Sequence, residues 1–245
     1  MIYPGRRVLL FPGIFLILAL LAAWGAEEGQ HPASGPRQCY WVFLNKGSGR
    51  QKVSEMTKEE VAKLQAEHVG NLGALYKQGR AFTAGPLGDN GFIRGIVVLK
   101  VSSAAEIKDC FKPDPFVQQD ILAVEAYRWL ADTTKFGKPD EPFKMAKHTL
   151  VVVKKGPDFG GLKGALTPDS MTRLLPSLEQ FAGGDGVVIS GPLVDAGELL
   201  GIALVGAEDG TKVETALGQD PAVKEGRVKL ELHPQFLAQG ILRKN

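Results

Sequence analysis

Gly85-Pro86-Leu87, then Asp89, Gly91, Gly95, Asp114-Pro115 and Val117, return as Gly191-Pro192-Leu193, Asp195, Gly197, Gly201, Asp220-Pro221 and Val223. The members of each pair lie 106 positions apart, and the register holds without a gap. Self-similarity at a fixed period marks a repeated structural unit. The spacing makes each copy a module of roughly a hundred residues, a common size for a small domain.

Working outward from the repeat, each copy shows the same alternation of periods. Residues 39–44, Cys-Tyr-Trp-Val-Phe-Leu, are an aromatic and β-branched run ended by Asn45-Lys46-Gly47, which reads as a buried strand and its turn. Thr57-Lys58-Glu59-Glu60 is a capping box, and Val61, Leu64, His68, Leu72 and Leu75 follow at helical spacing as far as about Gly79. Residues 81–84 and 91–100 read as strands joined by a hairpin over 87–90. Ser103-Ala104-Ala105-Glu106 is a second capping box, opening a helix to about Phe111. Pro113-Asp114-Pro115 blocks its continuation, because Pro forces its predecessor out of helical geometry. Residues 121–130 close the module as a strand.

The second copy repeats the plan. Residues 148–153 are a strand, and Thr167-Pro168-Asp169 opens a helix with Pro at its first position. Residues 187–190 lead into Gly191-Pro192, 199–205 form the next strand, Asp209 caps a short helix at the counterpart of Ser103, and 227–232 form the last strand. The first helix is four residues shorter here, about one turn. A βαββαβ order gives a four-stranded antiparallel sheet in order 4-1-3-2 with helices on one face. The fold class is therefore α+β, two ferredoxin-like modules in tandem. Each bare sheet face needs cover, and the two modules supply it for each other as an intramolecular pseudo-dimer, a dimeric α+β barrel.

The chain has 245 residues, 44% of them hydrophobic and 23% charged, with a formal net charge of +2. That charge is small and dispersed, so no nucleic-acid partner is expected. His31, His68, His148 and His233 are scattered and the two cysteines stand singly, so no metal site is expected. Neither Gly47-Ser48-Gly49 nor the loop at 160–164 has the pattern of a phosphate cradle, and no cofactor is expected. Cys39 begins the first strand at the end opposite Cys110, beyond disulfide reach, so both are expected as free thiols.

Arg6-Arg7 precede an apolar run over residues 8–23, followed by Ala23-Trp24-Gly25-Ala26 and the acidic Glu27-Glu28. This is the order of a secretory signal, with Ala23 and Gly25 at the small-residue positions of a cleavage site. The division expected is a signal over 1–26, a tether over 27–38, a first module over 39–131, a linker over 132–146 and a second module over 147–239. The protein is then secreted or periplasmic. A membrane partner enters only if the apolar run stays uncleaved as an anchor.

A helix carrying a central His, a strand into Gly-Pro, a hairpin with Asp and Gly, a helix, and Asp114-Pro115-Phe116 before the last strand resemble the YCII-related family of the dimeric α+β barrel superfamily. The resemblance covers residues 40–131 well and 148–237 more weakly. It implies that His68 and Asp114 are an acid/base pair acting on a small aromatic or acidic molecule, in the manner of a lyase, isomerase or dehalogenase. Read without it, His68 lies on the same stripe as Leu64, Leu72 and Leu75 and suits a core position. In the second copy the counterpart of His68 is Leu178 or Leu174, depending on where the missing turn falls, while Asp220 is kept. A retained Asp-Pro without the His suits a turn or cap role. Ideal geometry also separates the pair. His68 is roughly 16 Å along its helix at 1.5 Å per residue, whereas Asp114 is expected near the helix start, so the two meet only if the loop folds down. Two functions stay open: an enzyme with a His68/Asp114 site, and a non-catalytic binding or assembly module in which His68 is structural.

Overall fold

The computed structural model describes residues 38–182 and 188–242. The expected signal and nearly all of the tether, and Val187 of one expected strand, lie outside the described residues. The first half contains β1 (Gln38–Lys46), α1 (Lys58–Lys77), β2 (Ala81–Pro86), β3 (Ile93–Val101), α2 (Ala104–Phe111), α3 (Pro115–Gln118) and β4 (Leu122–Trp129). The second contains β5 (Met145–Lys155), α4 (Ser170–Leu174), β6 (Val188–Val194), β7 (Leu199–Val205), α5 (Gly210–Leu217), α6 (Pro221–Lys224) and β8 (Val228–Ala238). Short 3-10 turns lie at Arg50–Ser54, Thr133–Lys135 and Pro176–Phe181.

The strands run β2-β3-β1-β4-β6-β7-β5-β8, so both halves carry the order 4-1-3-2 read from the other edge. The two half-sheets also join edge to edge. Arg128 and Trp129 of β4 pair antiparallel with Val194 and Leu193 of β6. At the far edges Leu87 bridges Gln235, and Gly88 N–H donates to Pro234 O at 2.7 Å, closing a barrel.

The repeated Gly-Pro lies in these two seams. A Cβ on Gly85 would stand 1.9 Å from the Phe236 carbonyl oxygen, and one on Gly191 would stand 1.9 Å from that of Leu130. Only glycine allows this approach. Phe236 and Leu130 are themselves 106 positions apart. So are Gln235 and Trp129, whose side chains donate across the seams to Pro86 O at 3.2 Å and to Gly191 O at 3.0 Å.

Each central strand is buried on both faces, which explains its unbroken apolar run. Trp41 and Phe43 point into the barrel with Trp129, Leu150, Val152 and Ile202, drawing on both halves. Val42 and Leu44 point outward beneath Leu75, Ile107 and Phe111. In the second half, Val151 and Val153 lie beneath Met171, Leu178 and Leu217.

Several expectations need correcting. The Thr57 capping box forms in full, but Ser103 makes no side-chain cap, and Glu106 instead accepts from Ser102 N–H at 3.2 Å. Pro168 precedes α4 instead of opening it, and the single shortened helix expected there is split into α4 and a 3-10 turn. The split falls at Pro176, which cannot donate the helical N–H bond. β5 starts at Met145, within the expected linker, and β8 runs six residues further than expected, to Ala238. As expected, Cys39 and Cys110 are free thiols, and burial pushes the Cys39 thiol up to about 12.

Candidate active site

The site is built where α1 crosses the outer face of the first half-sheet. Thr57 starts α1 with a complete capping box: Glu60 N–H donates to its Oγ1 at 3.1 Å, and its own N–H donates to Glu60 Oε2 at 2.7 Å. The stripe predicted from spacing faces the sheet, and His68, three turns in, is buried on it. Pro115 then starts a new short helix instead of only ending the previous one. Asp114 is its N-cap, accepting from Phe116 N–H at 3.1 Å and Val117 N–H at 3.4 Å through Oδ1. This extra helix tucks Asp114 beneath the middle of α1 and closes the gap that ideal geometry predicts.

Asp114 has no exposed surface, and its Oδ2 lies 2.7 Å from His68 Nδ1. Asn71, one turn along α1, adds an Nδ2–H bond to the same oxygen at 3.4 Å and another to Cys110 O at 3.1 Å. An ionised carboxylate only accepts, so the proton on this edge of the ring sits on Nδ1, and Nε2 remains for chemistry. The Phe116 ring, tilted against the imidazole with centroids 5.1 Å apart, limits its rotation.

His68 lines a cavity of about 230 Å³ whose other walls come from α1, β2 and the start of β3. Phe143 from the interhalf segment, Ala238 at the end of β8 and Ile241 just beyond it complete the cavity, so both halves contribute. Two arginines share the wall, Arg50 from the first 3-10 turn and Arg94 from β3. Arg94 Nη1 donates to Asp89 O at 3.0 Å, and among the described residues neither guanidinium forms an ion pair. Burial, and after it the Arg94 charge, lower the pKa of Arg50 from its ordinary value. Two like charges beside one cavity without a carboxylate favour a ligand that brings the negative charge itself.

Sequence reasoning named His68 and Asp114 and missed Arg50, Arg94 and Asn71. One signal was present for Arg94: its counterpart 106 positions on is Leu200, a loss of charge that parallels the loss of the His. In the second half Leu174 and Leu178 are both core residues, and Asp220 is met by Ser177, which neither residue count identifies. Ser177 N–H and Oγ–H donate to Asp220 Oδ1 at 3.1 and 2.8 Å. Asp220 makes no side-chain cap to α6, so the cap role expected from its retention is found at Asp114 instead.

The family model for the YCII-related domain matches residues 41–130. No curated protein sequence matches the chain. Among solved structures, chlorite dismutase from Candidatus Nitrospira defluvii in complex with imidazole is similar at a TM-score of 0.54 and 10% identity, over 84% of this chain and 92% of that one. A heme-binding protein from Thermus thermophilus is similar at a TM-score of 0.51 and 10% identity, over 86% of this chain and 94% of that one. At such identities the likeness establishes the fold, an α+β barrel of the dimeric type.

Proposed function

Because this chain carries a YCII-related domain over residues 41–130, we propose that it is an exported tandem protein whose first module acts on a small organic acid, with His68 as proton carrier and Asp114 as its orienter. The second module is a degenerate copy that lends walls to the cavity and no acid/base pair. The observation that carries the reading is the buried His68 Nδ1 to Asp114 Oδ2 bond of 2.7 Å at a cavity walled by two arginines that form no ion pair among the described residues. Arg50 and Arg94 hold the substrate carboxylate, and Nε2 of His68 takes or returns a proton on a neighbouring atom. The reaction class is that of a lyase, isomerase or dehalogenase. Haem does not suit this site: a cavity of about 230 Å³ falls short of the ~300–1,000 Å³ typical of drug-sized ligands, and no step is assigned to one.

The rival reading, a binding or assembly module, draws support from Asp114 itself, which already caps α3 and holds it against α1. His68→Ala does not separate the two, because it strips a buried carboxylate of its best donor and costs about 1–3 kcal/mol in either case. His68→Asn does, since its amide places a donor near the Nδ1 position and offers nothing that titrates. Small aromatic and aliphatic carboxylic acids are screened by thermal shift, and the acids that bind are followed by NMR in D₂O for conversion or deuterium uptake. The enzyme reading expects His68→Asn to bind a hit within about threefold of the parent and to lose turnover by at least a hundredfold, in line with general acid–base catalysis. Turnover that survives in His68→Asn removes His68 as the proton carrier, and a parent that binds acids and converts none decides for the binding module. Export is tested by the mature chain mass: an amino terminus at Ala26 or Glu27 supports a cleaved signal, and an intact Met1 in the membrane fraction refutes it.

A further inference from the structure

At one mouth of the barrel, away from the His68 cavity, the two halves place polar side chains at matched positions. Asn45 Nδ2–H donates to Glu125 Oε2 at 2.8 Å, and the Tyr127 hydroxyl donates to Oε1 of the same carboxylate. Across the mouth, Lys154 Nζ–H donates to Glu231 Oε1 at 2.6 Å, and His233 Nδ1 lies 2.6 Å from Asp89 Oδ2. Glu125 and Tyr127 correspond to Glu231 and His233 at the repeat distance of 106. These groups, except Asp89, line a cavity of about 560 Å³ floored by Phe43 and Val152 and edged by Phe92, which is 64% exposed. That volume lies within the range of small-molecule sites.

Two acceptors behind the wall of this cavity lack donors among the described residues. Asn45 is 5% exposed, and among the described residues its Oδ1 has no partner. Its amide cannot be turned over, because Glu125 accepts only and requires the Nδ2 side. Asp89 likewise draws the proton of His233 to Nδ1, so in the neutral ring Nε2 is an acceptor, and it too has no partner among the described residues. Buried polar atoms in a native protein are normally paired. The charges point the same way. Lys154 neutralises Glu231, whereas Glu125 is held only by an amide and a phenol. Burial first, and then Glu125, push the Tyr127 phenol up to about 12, which keeps it a donor to that carboxylate.

We propose that this barrel mouth is a second ligand site, distinct from the His68 cavity, that binds a small primary amine bearing an apolar body. The ammonium group sits at Glu125, where the unpaired lone pairs of Asn45 Oδ1 and His233 Nε2 behind the wall add to the negative potential, and the apolar body lies over Phe43 and Val152 beneath Phe92. The two cavities then select opposite charges, anions at the arginines and cations at Glu125.

The test is titration of the full chain with 2-phenylethylamine and with 2-phenylethanol, its neutral analogue, read by amide NMR shifts. Saturable shifts of β1, β4 and β8 residues with the amine, at least tenfold weaker with the alcohol, are expected. Glu125→Gln should weaken the amine at least tenfold, and His68→Asn should leave it unchanged. Lys154→Ala releases the Glu231 carboxylate and should tighten the amine, a gain that decides the matter even if Glu125→Gln folds poorly. Equal binding of amine and alcohol, shifts confined to the His68 cavity, or an affinity unmoved by Lys154→Ala would overturn the proposal.

Discussion

Asp114 and His148 are two solutions to the same physical problem, a titratable group removed from water. Asp114 receives bonds from His68, Asn71, Phe116 and Val117, so its burial is matched by donors. His148 on β5 has both ring nitrogens covered and neither paired among the described residues. Burial lowers its pKa, with Glu208 opposing in part. The sign follows from linkage. As pH falls through the ordinary imidazole value of about 6.5, the unfolded chain binds a proton that the folded chain refuses, so stability drops on acidification. His148→Leu should therefore raise stability at pH 7 by about 1–2 kcal/mol, the scale of one unsatisfied buried polar group. It should also lessen the loss of stability between about pH 7 and pH 5.5. Urea melts of both proteins at the two pH values check this. A variant less stable than the parent at pH 7, with the same acid dependence, would mean that His148 is paired in solution.

At the scale of elements, the sequence was most readable where one residue type had one role. The Thr57 box, the apolar stripe of α1 and the runs of β1 and β7 were legible because period and capping chemistry agree there. The site was half legible. Asp114-Pro115 was read as a stop for α2, but Asp as N-cap with Pro at the first helical position is equally a start. The same residues do both jobs, and the start is what carries Asp114 to His68. Pro176 was the converse case. Counting from Thr167 to Gly191 suggested a helix one turn shorter, whereas a proline between Leu175 and Ser177 splits the segment and turns Ser177 toward Asp220. The arginines were less legible still, since Arg50 and Arg94 lie far apart in the chain and on different elements, and only the fold brings both to one cavity wall. Comparing the copies position by position, Arg94 against Leu200 and His68 against leucine, is the reading that ranks such residues without a structure.

At the scale of the whole molecule, the seams decide how independent the two halves are. Both use the same parts: a Gly-Pro edge with no room for a Cβ, a carbonyl from the partner half, and a side-chain donor from the adjacent residue. The first half alone would expose Trp41, Phe43, Ile96, Val98 and Trp129, which are each at most 2% exposed in the full chain. It would also leave the edges of β2 and β4 unpaired, a combination that drives association. Because Gly85 and Leu130 both belong to that half and correspond to Gly191 and Phe236 in the other, two copies can rebuild both seams with their own residues. A fragment of residues 38–131 should therefore be dimeric by light scattering at micromolar concentration. Gly85→Val, which places a branched side chain against the facing carbonyl in both rebuilt seams, should abolish the dimer. In the full chain the same substitution should strain one seam only, leaving a folded monomer of lower melting temperature. A fragment that stays monomeric, soluble and cooperatively folded would show that the seams are contacts of convenience, and that each half needs no partner to bury its inner face.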